Sequence, residues 1–162
     1  MINSLRLALL LILYMTLLTS THADPLLNQP APKVDTELIG GKLLTAKELE
    51  GKVVLVVFWA TWCPACAKEL PQLQRLYDAA HDKGLEILAL SVDPKAEDAA
   101  IFWKEKGYTF PLGMRAGIVR QAWGTVRYTP QLILVDREGI VRMKFVGAMK
   151  YEQLEAEVMP LL

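Results

Sequence analysis

Gly51-Lys52-Val53-Val54-Leu55-Val56-Val57-Phe58-Trp59-Ala60-Thr61-Trp62-Cys63-Pro64-Ala65-Cys66 is the stretch that decides how this chain folds. Val53 to Trp59 is an unbroken run of β-branched, aliphatic and aromatic residues, as a strand covered on both faces requires. A helical period follows at once. Leu70, Leu73, Leu76 and Tyr77 recur at i, i+3, i+6 and i+7 and make one apolar stripe of a helix over Cys63 to Lys83. Pro71 should kink that helix and Gly84 should stop it. The two cysteines therefore stand where a buried strand hands over to a helix.

Outward from this unit, Glu86 to Val92 reads as a second buried strand and Ala96 to Lys106 as a helix ended by Gly107. Ile118 to Trp123 suggests a short helix. Gln131 to Val135 and Ile140 to Val146 are strands joined by the turn Asp136-Arg137-Glu138-Gly139, and Tyr151 to Leu162 closes the chain as an amphipathic helix. Upstream, Gly40-Gly41 signals a hairpin turn, and Asp24 to Pro32, with Pro25, Pro30 and Pro32, reads as an extended tether. The expected fold is α/β, a central mixed β-sheet with helices on both faces, spanning 33–162.

The first residues read as a targeting segment. Arg6 precedes the apolar run Leu7 to Leu18, and Thr21-His22-Ala23 offers a cleavage site. The run is shorter than the roughly 20 residues of a membrane span. Residues 1–23 are thus expected to be a signal peptide, with an uncleaved anchor as the alternative; both imply export. Lys plus Arg equals Asp plus Glu at 18 each, so there is no basic excess of the kind nucleic-acid binders show.

Beyond the leader the chain has Cys63, Cys66 and a single histidine, His81. A cysteine at a helix N-terminus meets unpaired N–H groups and the positive end of the helix dipole, which favour thiolate over thiol. Cys63 is therefore the expected nucleophile, with Cys66, one turn on, resolving a mixed disulfide. Pro64 suits the first helical turn, where its missing N–H costs nothing. A purely structural disulfide would close too short a loop to staple much chain. Zinc needs more ligands than two cysteines and one histidine supply. No metal or other cofactor is expected beyond the redox-active pair itself. Cu(I) delivery by the same thiolates remains the alternative, although Met114, Met143, Met149 and Met159 show no clustered metal pattern.

On these residues the chain resembles the thioredoxin superfamily, and more narrowly the exported TlpA/ResA-type thiol–disulfide oxidoreductases, over Ala31 to Leu162. Cytochrome c maturation reductases are one branch of that group. The resemblance implies protein disulfide substrates, reduction rather than oxidation, and a membrane thiol electron donor. It also implies a periplasmic or other extracytoplasmic location, with tethering to the inner membrane as the variant.

Thr129-Pro130 matches the family's cis-proline, and the Thr129 backbone would pair with an extended substrate strand. Trp62 would form the rim that meets partners, with Pro64 beside it, and Trp59 would be core. Trp103, Trp123, Phe102 and Phe110 are expected to pack the domain. Glu69, three residues after Cys66, resembles the group's proton acceptor, against the plain reading of a surface glutamate. Thioredoxins proper carry an aspartate where this chain has Val57. The chain departs from the haem-maturation pattern at Tyr128-Thr129-Pro130-Gln131, where a glutamate usually follows the proline. It departs again at Met114-Arg115, where an aspartate is missing. Between Pro111 and Lys150 basic residues predominate, and Arg127 and Tyr128 immediately precede the proposed substrate strand.

Overall fold

Every residue of Val53–Trp59 is buried, and so is every residue of Leu85–Ser91, because each strand is sandwiched between two apolar layers. A computed structural model describes residues 25–162; the leader expected at 1–23 lies outside them. The strands are β1 (Thr36–Glu37), β2 (Leu43–Leu44), β3 (Val53–Trp59), β4 (Leu85–Ser91), β5 (Leu112–Met114), β6 (Gln131–Val135) and β7 (Val141–Val146). The helices are α1 (Pro64–Ala80), α2 (Ala96–Lys106), α3 (Gly117–Trp123) and α4 (Tyr151–Val158). Among the described residues no helix is long and apolar enough to cross a membrane.

The main sheet has the order β5-β4-β3-β6-β7. β3, β4 and β5 run parallel, joined by the crossovers α1 and α2, while β6 and β7 run antiparallel to their neighbours. Alternation along β3 builds two cores. Val53, Leu55, Val57 and Trp59 face α1, α2 and α4. Val54, Val56 and Phe58 face α3, Val34 and Leu44 of the N-terminal hairpin. The expected mixed sheet with helices on both faces is present, with three helices on one side and one on the other.

The differences from the sequence expectation lie at the element ends and in the short strands. Cys63 caps α1 rather than lying within it, and His81–Lys83 is a separate 3-10 turn. The helix runs as one element through Pro71. The closing helix ends at Val158 and continues as a 3-10 turn over Met159–Leu161. The hairpin turn expected at Gly40-Gly41 joins β1 and β2, which are only two residues each, and β5 was not expected as a strand. Part of the tether is docked: Asn28 N–H donates to Val141 O and Ala31 N–H to Gly139 O, both at 2.8 Å, extending the sheet beside β7.

The hairpin meets the far edge at Gly113. A Cβ there would lie 2.9 Å from Thr36 Cγ2 and 3.2 Å from the Glu37 carbonyl oxygen, so only glycine lets β1 close on β5.

Candidate functional site

The sheet register collects five chain segments at one end. Trp59 pairs with Ser91 and Ser91 with Met114, so the segments leaving the parallel strands emerge together. Phe58 pairs with Gln131, and Gln131 with Val146, so the antiparallel strands bring residues 127–130 and 147–150 to the same end. Cys63 and Cys66 sit at the centre of this end.

The cysteines are joined as a disulfide with Cα atoms 5.3 Å apart. Cys63 is the N-cap of α1, and its Sγ accepts the Cys66 N–H at 3.2 Å. Pro64 occupies the first turn, as expected. No acidic residue lies in that turn, so the helix end presents uncompensated positive charge to Sγ. The Thr129 carbonyl oxygen lies 3.4 Å from Cys63 Sγ, and the Thr129–Pro130 peptide is cis, as the resemblance implied. Trp62 beside the pair is 66% exposed, whereas Trp59 is fully buried against Phe102 and Trp103.

Glu69 is not a surface glutamate. It is 1% exposed, in the same layer as Cys66 on the inner face of α1. Its Oε1 accepts the Met149 N–H at 2.8 Å, while Oε2 is buried with no hydrogen-bond partner among the described residues. Burial raises its pKa to about 7, against the opposing pull of the Met149 N–H. A carboxyl poised near neutrality one turn from a buried cysteine can take and return a proton there.

A Redoxin family model matches residues 26–158. The chain belongs to the redoxin family. The thiol–disulfide oxidoreductase ResA of Bacillus cereus is 34% identical over 129 residues, covering 80% of this chain and 75% of that protein. StoA of Bacillus subtilis has a crystal structure that superposes with TM-score 0.66 at 26% identity, covering 78% of this chain and 98% of that one. A thiol:disulfide interchange protein of Chlorobium tepidum superposes with TM-score 0.77 at 24% identity over 82% of this chain and 94% of that one, a likeness of fold. With the Cys-x-x-Cys pair in place, this redoxin is a thiol–disulfide oxidoreductase.

The sequence reading missed the group that holds the redoxin's active-site loop. Asp93 Oδ2 accepts the Thr61 N–H at 3.0 Å and the Ser91 hydroxyl at 2.7 Å, and Oδ1 accepts the Thr61 hydroxyl at 2.8 Å. Asp93 is 6% exposed, and it pins the turn before Cys63 to the end of β4. The available signal was Ser91-x-Asp93-Pro94, a short polar cluster closing an otherwise apolar strand. Asp93→Ala leaves three donors without their acceptor and is expected to destabilise the protein by about 2–4 kcal/mol. Urea unfolding checks this; a change below about 0.5 kcal/mol, the usual range for surface sites, would show that the loop is held by other means.

A cavity of about 250 Å³ lies at the other end of the redoxin, between residues 31–36, the Ala46–Leu49 turn and the outer sheet face, and holds neither cysteine. Among the described residues no group of three His, Cys, Asp or Glu side chains is placed to hold a metal ion.

Proposed function

We propose that this redoxin reduces protein disulfides outside the cytoplasm, with Cys63 as nucleophile, Cys66 as resolving thiol and Glu69 as proton acceptor for Cys66. The observation that carries the reading is the asymmetry of the pair: Cys63 caps a helix beside the Thr129 carbonyl, while Cys66 lies one turn deeper on the layer of buried Glu69. Cys63 thiolate attacks one substrate sulfur, forming a mixed disulfide and releasing the other substrate sulfur as thiolate. Glu69 takes the Cys66 proton, and the Cys66 thiolate attacks Cys63 Sγ. That attack forms the Cys63–Cys66 bond and frees the second substrate thiolate. Two electrons pass to the substrate, and two protons end on its thiols.

The substrate strand pairs with the Thr129 backbone against Pro130, and Trp62 and Pro64 form the adjoining contact surface. The partners are proteins carrying disulfides and a membrane thiol donor that regenerates the dithiol. The leader at 1–23 supplies export or an inner-membrane anchor. The thiol–disulfide oxidoreductase activity of the relatives and the residues 63–66 support this reading together.

The reduction potential of the Cys63–Cys66 pair tests the direction. A value near or below about −220 mV is expected of a reductase fed by a membrane donor. A value near about −120 mV would make the protein a disulfide donor instead.

A further inference from the structure

The end of the sheet that holds the cysteines is electrically lopsided. From Pro111 to Val135 the chain contains Arg115, Arg120 and Arg127 and no aspartate or glutamate. This whole segment runs from the end of β5, across α3, to the Thr129 carbonyl beside Cys63. Arg120 and Arg127 are exposed, and neither forms an ion pair among the described residues. Burial and then the Arg120 charge hold the Arg115 guanidinium below its ordinary pKa, so these two cations crowd one another without an acidic neighbour to relieve them. The exposed carboxylates at this end, Glu97 and Asp98, start α2, which packs on the opposite face of the sheet from α3.

The same sector exposes aromatic surface. Tyr128 is 70% exposed and adjoins Thr129, and Trp62, 66% exposed, adjoins Cys63. These two exposed rings, next in sequence to Cys63 and to Thr129, give the sector apolar surface, and Arg127 beside Tyr128 and Arg120 on α3 add positive charge to the same segment.

Resting on the dithiol reading above, we propose that this sector selects protein disulfides embedded in acidic segments, with Arg127 and Arg120 meeting carboxylates that flank the reactive cysteine and Trp62 and Tyr128 holding an apolar residue between them. The reach is suitable. A strand advances about 3.3 Å per residue, so a substrate strand lying along Thr129 carries its neighbouring side chains past Arg127 within about two or three residues of the attacked sulfur. Positive charge there also speeds the encounter with an acidic partner at low salt.

The test uses three peptides with one common disulfide loop, flanked by Glu, Gln or Lys, reacted with the reduced protein and followed by quenched chromatography. The Glu-flanked peptide is expected to react about tenfold faster than the Lys-flanked one at low salt, with the ratio shrinking at high salt as the charges are screened. In an Arg120→Glu/Arg127→Glu double variant the order of the two peptides reverses. Equal rates for all three peptides in the wild type would overturn the proposal, as would a Glu-to-Lys ratio that ignores both salt and the double variant. Because each ratio is internal to one protein sample, a general loss of activity in the variant does not affect it. The salt dependence needs no variant at all. Failure of the reduced protein to react with any peptide, or with the small neutral hydroxyethyl disulfide, would instead overturn the dithiol reading and this one with it.

Discussion

A Cys66→Ser protein, reduced and mixed with a disulfide-bonded substrate protein, is expected to stop at a covalent adduct. Steady-state turnover falls by about a thousandfold or more, since a nucleophile that acts in series with another cannot be bypassed. Intact mass shows one substrate chain per protein, released by dithiothreitol, with the bond on Cys63. The reason is positional. Cys63 Sγ caps α1, where N–H groups stabilise its thiolate, and it faces the Thr129 carbonyl at the rim. Cys66 is 1% exposed and lies one turn further into α1, bonded to Cys63. Cys63→Ser should form no adduct and show an equally large loss. An adduct on Cys66 in that variant, or turnover surviving the loss of either sulfur, would overturn the assignment of roles.

Glu69→Gln should change two pH profiles at once. Gln keeps an oxygen for the Met149 N–H but cannot take a proton from Cys66. The resolving step is therefore expected to slow by about a hundredfold, and its rise with pH around 7 should disappear. Substrate adducts on Cys63 would accumulate transiently where the wild type shows none.

The second profile is stability. The native carboxyl titrates near 7 and its ordinary value is 4.5, so between those values the native state holds a proton that the unfolded chain has lost. Its contribution is complete below about 4.5 and drains away as pH rises through 7, by about 3 kcal/mol in total. Urea unfolding of the wild type should therefore weaken over this interval relative to Glu69→Gln, whose curve lacks that slope. Parallel curves for the two proteins would place the Glu69 titration at its ordinary value and remove it as the base.

Much of this site was legible along the chain. The apolar run Val53–Trp59 and the stripe Leu70, Leu73, Leu76 and Tyr77 are local patterns that match what formed, and Gly84 ends the 3-10 turn that follows the helix. The turn between β1 and β2 showed at Gly40-Gly41, but the extent of those strands and the existence of β5 were not legible. Two or three residues carry no period, and Leu112-Gly113-Met114 becomes a strand only because β4 on one side and the hairpin on the other offer it hydrogen bonds. Asn28 to Ala31 reads as a tether for the same reason, since its partners Gly139 and Val141 lie more than a hundred residues away. Asp93 was passed over because its meaning depends on Thr61, which folds against it from 32 residues upstream.

The amino-acid sequence by itself determined the dithiol, its place at a strand-to-helix junction, and the helix dipole that acts on Cys63, because all three depend on residues adjacent in the chain. Tertiary structure alone decided what surrounds the pair. Glu69 is one turn from Cys66 in any helix, but whether it is an ordinary surface carboxylate or a buried acid titrating near 7 depends on α4 and Met149 closing over it from 80 residues away. Desolvation is a sum over everything packed around a group, and no local pattern of residues contains that sum.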